Sequence, residues 1–507
     1  MTTASMSVQD ALWLTMDRPN NLMVVDGSLV LRGTPEVDDV LEIFADAVAR
    51  FPVLARKAVK SGLGWAWQDD PGFKIEDHLT VVELEDGKGL PDLQQFMAEQ
   101  RSQPLSKDRP LWQGYLLTNL TLEDGSPGAA MLLRFHHSIA DGVRLTQVLL
   151  GLCDAAEGTV GAVVARSGVQ SAEATSPPEE IGRVAYHAAG GVAHAVESGV
   201  EDIAVEAAHA VRNPFSALAH LPGRAFDVAK AGAHQVEEGL SAIRHPDRLL
   251  DALEVLGAES HRSLNDLSSV TKIALTSTDE TVWSGHPGET KALAWSSAVP
   301  LEDIKELGRS SGATVNDVLL AAISGGLQRF LAENGGALRE VAWMVPVNLK
   351  PFEDNLPPDL GNYFALVFLP MPLDESDPKT RLEQMHQRMK RIKNSDEAVL
   401  TFGLQRVVSM SPGQIAFFLT NFFANKAVGV LTNVPGPTGL LRFGGVDVDQ
   451  VVGFAPCSGN QPMTATIFSY NGGVTIGFAT DAGLLPNPAD LVDYVMEDLR
   501  RMREETA

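Results

Sequence analysis

The feature that most constrains this fold is a pair of adjacent histidines at the end of a predicted β-hairpin. Residues 111–120 and 129–135 have the composition and alternation of strands, and residues 123–125, Glu-Asp-Gly, supply the turn between them. His136 and His137 follow the second strand directly, and an apolar helical pattern comes next. The chain must therefore build a sheet that ends in two imidazoles at the start of a helix.

Successive side chains of a strand point to opposite faces, so the two rings cannot both face one cavity. We expect one histidine to be catalytic and the other to pack. A neutral imidazole at a strand end can take a proton from an alcohol or amine that attacks a carbonyl. Asp141 could orient that ring or anchor the loop through backbone amides or a basic partner. Gly142 suits a close backbone approach or a positive φ.

A structural alternative stays open for the same residues. His136 and His137 could both be core histidines with satisfied hydrogen bonds, beside an Asp141 that only caps the following helix. The strand, turn and helix context favours the catalytic interpretation over this one.

Composition excludes several classes of function. The chain has 65 acidic and 40 basic side chains, a formal charge of −25, and no basic stripe that could displace counterions from nucleic acid. The same sign argues against electrostatic adhesion to an anionic membrane. With 44% hydrophobic and 21% charged residues, the chain has the composition of a globular protein.

Cysteine content and hydropathy predict a cytoplasmic location. Cys153 and Cys457 are too few for a disulfide framework and lack the CxxC spacing of zinc ligands, so no metal site is expected. The first residues show no signal-peptide pattern. Residues 414–423 form the closest approach to a membrane span, about half of the ~20 residues required. Peripheral contact with the inner membrane face or with lipid droplets stays open as an alternative.

Composition also divides the chain into three parts. Residues 1–160 and 271–507 alternate strand and helix patterns, which is typical of an α/β (α+β) fold with mixed sheets flanked by helices. Residues 161–270 are rich in alanine, poor in β-branched runs and broken by prolines. We therefore predict an N-terminal half, a helical connector and a C-terminal half.

Three further strand signals lie outside the histidine hairpin. The patterns at residues 24–31 and 363–369 each predict a strand. Residues 463–470 and 474–480 flank Asn471-Gly472-Gly473, which predicts a second hairpin.

The histidine motif resembles a known signature. Residues 136–142, HHSIADG, are similar to the HHxxxDG motif of the coenzyme-A-dependent acyltransferase superfamily, which includes chloramphenicol acetyltransferase and the condensation domains of peptide synthetases. Four further segments, Pro110-Leu111-Trp112, Asn316-Asp317, TNVPGP at 432–437 and SYNGGVTIGFATD at 469–481, are similar to motifs of the bacterial wax ester synthase/diacylglycerol acyltransferase family. The likeness covers nearly all of the chain except much of the connector.

The resemblance implies two chloramphenicol-acetyltransferase-like domains with an active-site channel at their interface. It implies that His137 is the general base, and that Asn316 lies near it and positions substrate, with Asp317 beside it. The implied donor is acyl-CoA, a substrate, and no cofactor is required. The implied acceptor is diacylglycerol or a long-chain fatty alcohol. Asp10 and Asp17 stand where the family often has Asp and Glu.

The auxiliary motifs also have structural interpretations. Thr314 and Asp317 have capping-box spacing, which is compatible with a role at the site. Residues 110–112 are more typical of a turn with a buried tryptophan than of a substrate contact. His78 is expected to pack. No nucleophilic serine or cysteine elbow accompanies the two histidines, which favours direct transfer over a covalent acyl-enzyme.

The function predicted from the sequence is acyl transfer from a long-chain acyl-CoA to a hydroxyl, which makes triacylglycerol or wax esters. A polyketide or carrier-protein-dependent acyltransferase, or a condensation-type enzyme, is one alternative, and a catalytically silent lipid-binding protein is another. Because an acidic exterior repels the phosphates of CoA, the donor needs a locally positive entrance, and Arg134, Arg144 and Lys350 are candidates for it.

Overall fold

The strands form two large mixed sheets and one small sheet. A computed structural model of the protein describes residues 3–62, 64–156, 281–348, 356–394, 401, 405, 408–409 and 413–506. The strands are β1 (Thr3–Ser5), β2 (Val24–Leu31), β3 (Arg56–Ser61), β4 (Gly64–Asp69), β5 (Leu79–Glu83), β6 (Trp112–Thr121), β7 (Pro127–His136), β8 (Asp154–Ala155), β9 (Lys291–Trp295), β10 (Val299–Pro300), β11 (Val341–Asn348), β12 (Phe364–Met371), β13 (Gly429–Pro435), β14 (Leu441–Phe443), β15 (Val446–Phe454), β16 (Met463–Tyr470) and β17 (Gly473–Asp481).

The α-helices of the described ranges flank these sheets. They are α1 (Val8–Met16), α2 (Val37–Arg50), α3 (Leu90–Arg101), α4 (Gly142–Leu150), α5 (Leu301–Ser311), α6 (Val315–Glu333), α7 (Pro378–Lys393), α8 (Gly413–Ala424) and α9 (Pro488–Thr506). Helix α6 is buried along most of its length against α7 and α9, because its inner turns are made of Leu, Ala, Ile and Gly.

The first large sheet carries the predicted hairpin. Its order is β5-β6-β7-β2-β15-β14-β8, with β5 and β6 parallel and the other pairs antiparallel. Strand β7 lies in the middle, between β6 and β2, so its carboxyl end is covered on both edges. β14 and β15 come from the second half of the chain and pair with β8 and β2 of the first half.

The second large sheet has the order β10-β17-β16-β13-β11-β12, and β9 also pairs with β17. β13 is parallel to β11 and β16, and the remaining pairs are antiparallel. The hairpin β16–β17 closes with a two-residue loop in which Asn471 (φ 45°) and Gly472 (φ 79°) both take positive φ. This conformation matches the twist of the flanking strands and explains the Asn-Gly sequence.

A shared core joins the two halves. Helix α3 contributes Leu93 and Met97 to a buried cluster with Leu132 of the first sheet and with Trp295 and Phe454 from the second half of the chain. Burial of a side chain of this size contributes about 1.5–3 kcal/mol to stability. The buried side chains of this cluster therefore stabilise the contact between the two halves.

The α/β (α+β) prediction is confirmed, and the structure contains both expected hairpins. The strand predicted at residues 24–31 is β2 to the residue, and the hairpin strands predicted at 111–120 and 129–135 are β6 and β7, each shifted or extended at its ends. The predicted connector, residues 161–270, lies outside the described residues.

Candidate active site

The two histidines at the end of β7 contact different residues. His136 is the last residue of β7, and the backbone N–H of His137 donates to the carbonyl oxygen of Met23 at 2.7 Å. Nδ1 of His136 lies 2.8 Å from Oγ of Ser138, whereas Nδ1 of His137 lies 2.9 Å from Oδ1 of Asn362. Strand alternation separates the rings, as the sequence predicts.

Asn362 determines the tautomer of His137. Its Nδ2 lies 2.9 Å from the backbone carbonyl oxygen of His137 and 2.7 Å from Oδ1 of Asp10. A carbonyl oxygen only accepts, so the amide presents its nitrogen to that atom and its oxygen to the imidazole. Nδ1 of His137 therefore donates, and Nε2 keeps its lone pair. In the described ranges, Nε2 has no hydrogen-bond partner.

Aromatic rings cover the imidazole of His137. Trp13 of α1 stacks on it with ring centroids 4.0 Å apart and an interplanar angle of 25°. Phe364, the first residue of β12, lies 5.7 Å away at 43°. These rings exclude water from one side of the imidazole. The face of an indole also attracts a cation by about 0.5–2 kcal/mol, so Trp13 would stabilise a protonated His137.

His137 is neutral at neutral pH. The ring is 6% exposed, and burial lowers its pKa below the ordinary value of 6.5, against the opposing effects of the Asp141 charge, its own carbonyl oxygen and Asn362. The lone pair of Nε2 is therefore present at pH 7. A neutral imidazole with a defined tautomer meets the chemical requirements of a general base.

His136 has the opposite tautomer. The backbone N–H of Ser138 donates to its Nδ1 at 3.1 Å, so the hydrogen is on Nε2. That atom lies 3.9 Å from Oδ1 of Asp17 and, among the described residues, has no hydrogen-bond partner. Burial lowers the pKa of His136 to about 4. His136 is thus a neutral packing residue whose Nε2 carries no lone pair.

Asp141 anchors the loop through backbone amides. Its Oδ1 accepts from the N–H of Arg144 and caps α4, and its Oδ2 accepts from the N–H of Tyr363, both at 2.9 Å. The ring of His137 hydrogen-bonds to Asn362 and not to Asp141. Of the two roles open to Asp141, the geometry is that of the anchor.

The expectation for Gly142 is wrong. Gly142 is the first residue of α4, its φ is not positive, and a Cβ built on it meets no described atom within 4 Å. The glycine therefore relieves neither backbone strain nor a close backbone contact. Gly142 borders open space at the start of α4.

Sequence reasoning missed Asn362 and gave Asp10 no role at the base. The local signal for Asn362 is a short Gly-Asn-Tyr segment before a predicted strand, and Gly361 takes a φ of 65° there. The decisive information is spatial, since Asn362 is 225 residues from His137 and 352 from Asp10. Asp17, the second of the two aspartates near the start of the sequence, forms an ion pair with Lys107, with Oδ2 2.9 Å from Nζ.

The segment at residues 110–112 packs in the core of the first half. Trp112 is 1% exposed, its Nε1 donates to the carbonyl oxygen of Leu54, and it stacks on His78 with centroids 4.7 Å apart. Leu111 is also 1% exposed, and Pro110 precedes it in the turn. These contacts explain the motif through packing, and they also account for His78 as a packing residue.

Asn316 and Asp317 begin α6. Asp317 completes a capping box with Thr314 and lies 2.7 Å from Nδ1 of His386. Oδ1 of Asn316 accepts from Nδ2 of Asn433 at 2.7 Å, which joins this motif to the segment at 432–437. The resolved hydrogen bonds of Asn316 and Asp317 thus run to other elements of the second half.

Two of the three cations expected at the CoA entrance are buried. Arg134 is 1% exposed and donates to Oδ1 of Asp26 at 3.1 Å and to the carbonyl oxygen of Gln103. Arg144 is 4% exposed and lies over the ring of Tyr363 at 4.5 Å. Their burial contradicts the expectation of a surface role, because guanidiniums fixed in the interior cannot form a positive entrance. Lys350 lies outside the described residues.

A serine in a GxSxG pattern occurs at residues 308–312, but it is not a nucleophile elbow. Ser310 lies in the last turn of α5, and its Oγ donates to the carbonyl oxygen of Leu307 at 2.9 Å. A nucleophile elbow needs a turn from a strand into a helix, and this segment ends a helix at Gly312 instead.

In the described residues, no helix is long and apolar enough to cross a membrane.

Comparison with known proteins assigns a family. The model of the wax ester synthase/diacylglycerol acyltransferase catalytic domain matches residues 6–319, and that of the WS/DGAT C-terminal domain matches residues 360–503. Two proteins of Mycobacterium tuberculosis named for diacylglycerol O-acyltransferase activity are similar. One is 25% identical, covering 86% of this chain and 76% of its own, and the other is 21% identical, covering 92% and 88%.

Solved structures share the fold. The wax ester synthase/diacylglycerol acyltransferase from Marinobacter aquaeolei VT8 superimposes with a TM-score of 0.61 at 16% identity, over 99% of this chain and all of that one. The first condensation domain of the calcium-dependent antibiotic synthetase gives 0.54 at 16% identity, over 99% and 96%. The resemblance drawn from the sequence motifs is confirmed, and the chain is an acyltransferase that belongs to the wax ester synthase/diacylglycerol acyltransferase family.

Proposed function

We propose that this acyltransferase moves a long-chain acyl group from acyl-CoA to the hydroxyl of diacylglycerol or of a long-chain fatty alcohol, with His137 as general base. The acceptor is suggested by the names of its relatives and of its family. The observation that carries the mechanism is the lone pair of His137 Nε2, which the hydrogen bond between Nδ1 and Asn362 leaves available. Acyl-CoA is a substrate, and the reaction needs no cofactor.

The proposed step conserves protons and electron pairs. His137 Nε2 removes the hydroxyl proton of the acceptor while its oxygen forms a bond to the thioester carbonyl carbon. Backbone amides or Asn316 stabilise the oxyanion. The carbon–sulfur bond then breaks, the imidazolium returns the proton to the departing thiolate, and the ester and free CoA leave.

The test is replacement of His137 by alanine, with CoA release measured from palmitoyl-CoA and either a 1,2-diacylglycerol or hexadecanol. General-base catalysis contributes about 10²–10⁴-fold, so we expect at least a hundredfold loss. His286→Ala is the matched control, since that histidine is exposed. Turnover near that of the wild type in a folded His137→Ala variant would overturn the mechanism.

Because the fold is also that of a condensation domain, an acyl thioester on a carrier protein is an alternative donor. A palmitoyl thioester on a carrier protein, assayed beside palmitoyl-CoA, separates the two, and we expect CoA to be preferred. A lipid-binding protein without activity would cleave neither thioester with any acceptor. We also propose that the enzyme works in the cytoplasm and meets its lipids at a membrane or droplet surface, where the partly exposed Phe417 and Phe422 of α8 could make apolar contact.

A further inference from the structure

We propose that Asn362 and Asp10 are positioning residues for the reaction, in which Asn362 holds His137 in the reactive tautomer and Asp10 holds the amide of Asn362. The inference rests on the proposed function, because it concerns the same general base. Neither residue is proposed to touch substrate. Their role is to place the lone pair on Nε2 before substrate arrives.

The need for such a device follows from the chemistry of imidazole. A neutral ring has two tautomers, and only the one with its hydrogen on Nδ1 leaves Nε2 able to accept a proton. The neighbouring His136 is in the other tautomer because a backbone N–H faces its Nδ1. At His137 the corresponding atom faces an acceptor, the amide oxygen of Asn362 at 2.9 Å. The partner at Nδ1 therefore determines the tautomer of each ring.

Asp10 removes the remaining freedom of the amide. An asparagine amide can rotate by 180° and exchange its oxygen and nitrogen. Here the nitrogen donates both to the carbonyl oxygen of His137 and to Oδ1 of Asp10, so rotation would set an oxygen against two acceptors. Asp10 is itself 7% exposed and lies in the first turn of α1, where its N–H donates to Oγ of Ser7.

The backbone on both sides of Asn362 is pinned to the histidine loop. The N–H of Gly361 donates to the carbonyl oxygen of Ile139, and its own carbonyl oxygen accepts from the N–H of Asp141. The N–H of Tyr363 donates to Oδ2 of Asp141. These hydrogen bonds therefore hold Asn362, which belongs to the second half of the chain, in a fixed position beside the ring of His137 in the first half.

The experiment compares four variants by two readouts. Asn362→Ala, Asp10→Asn, Asn362→Asp and the double variant Asp10→Asn/Asn362→Asp are assayed for kcat and KM with palmitoyl-CoA. The tautomer of each histidine is read from the ¹⁵N shifts of imidazole-labelled protein. His78 and His136 serve as internal references, and exposed Asn394→Ala is the control variant.

We expect Asn362→Ala to lower kcat by about 10²–10⁴-fold, the range in which a mis-set tautomer acts on a histidine base, with KM changed less than threefold. The signal of His137 should shift toward a mixture of tautomers, while those of His78 and His136 stay in place. Asp10→Asn keeps an acceptor for the amide and should stay within tenfold of the wild type. Asn362→Asp sets a carboxylate against Asp10, and the double variant should recover part of that loss.

The inference is overturned if Asn362→Ala keeps the Nδ1–H signal of His137 and its kcat, or if the double variant is no better than Asn362→Asp. A simple folding role would lower the melting temperature without moving the His137 signal. If instead His137→Ala retains turnover, the proposed mechanism is wrong, while the ¹⁵N signals still report whether Asn362 sets the tautomer.

Discussion

At the scale of single residues, the two adjacent histidines at the end of β7 are opposite tautomers. His136 accepts at Nδ1 from Ser138 and is 2% exposed. His137 donates at Nδ1 to Asn362 and presents Nε2. Because the groups that face Nδ1 differ between the two rings, replacement of either histidine should have a distinct consequence.

The first prediction concerns His136→Ala. Removing a buried ring and its hydrogen bond should lower the free energy of unfolding by about 3 kcal/mol, whereas CoA release per folded molecule should change less than fivefold. Chemical denaturation and the acyl-CoA assay measure the two quantities. A variant that unfolds like the wild type yet is inactive would mean that the roles of the two histidines are reversed.

The second prediction concerns acid stability. In the unfolded chain His136 takes a proton as the pH falls below 6.5, whereas burial keeps its pKa in the folded protein at about 4. The unfolded state therefore binds more protons between these values, and stability falls as the pH is lowered from 6.5 to 4, by roughly 3 kcal/mol. Urea unfolding at several pH values should show a flatter profile for His136→Gln. Parallel profiles would contradict the assignment.

The residues of the site differ in how far the sequence could predict them. Strand alternation alone separates the two histidines, and the helical pattern that begins after Asp141 places that residue in the turn between strand and helix. The Asp10–Asn362–His137 chain could not be derived, because its members come from α1, from the segment before β12 and from the end of β7, and no local pattern relates them. The positive φ or close backbone approach expected for Gly142 was wrong for a similar reason, because these properties depend on the surrounding structure and not on the residue type alone.

At the scale of elements, a buried ion pair joins three helices of the second half. Arg381 of α7 donates to both carboxylate oxygens of Asp498 on α9, at 2.7 and 2.5 Å, and Nε donates to the carbonyl oxygen of Ala321 on α6. The pair lies against Gly325, where a Cβ would come within 2.2 Å of Asp498. Three helices therefore meet at a site that tolerates neither an extra methyl nor a lost charge.

The third prediction follows from that contact. Asp498→Ala leaves the Arg381 guanidinium, 1% exposed, without its counter-ion and should cost about 3–5 kcal/mol of unfolding free energy. Asp303→Ala breaks an exposed pair with Arg503 and should cost less than about 1 kcal/mol. Denaturant melts measure both. An Arg381→Met/Asp498→Leu variant should recover most of the loss, and equal losses for the two single variants would contradict the argument.

Elements with strong local signals were the ones the sequence predicted well. The Asn-Gly turn between β16 and β17 and the alternation in β2 are both local. The pairing of β15 with β2 was not predicted, since the two strands are more than 400 residues apart in sequence and pair by edge complementarity. Such long-range pairing leaves no pattern within a short window.

At the scale of the whole molecule, His137 belongs to the first half of the chain, and its surroundings come from both halves. β15 of the second half pairs with β2 in the first sheet, and residues 361–363 of the second half bond to the loop that follows His137. Without the second half, His137 would have neither Asn362 at its Nδ1 nor these contacts to its loop.

The last prediction tests that coupling at Asp141, whose two oxygens hold the N–H groups of Arg144 and Tyr363. An asparagine there can accept from only one of them, so Asp141→Asn should release residues 361–363, raise hydrogen exchange at Tyr363 and lower kcat/KM at least tenfold through Asn362. The control is Asp377→Asn, because Asp377 caps α7 in the same way without bonding to the other half. Since asparagine caps a helix about as well as aspartate, this variant should leave both stability and kcat/KM nearly unchanged. If Asp141→Asn behaves like this control, with exchange at Tyr363 and turnover unaltered, the two halves do not act on His137 through this residue.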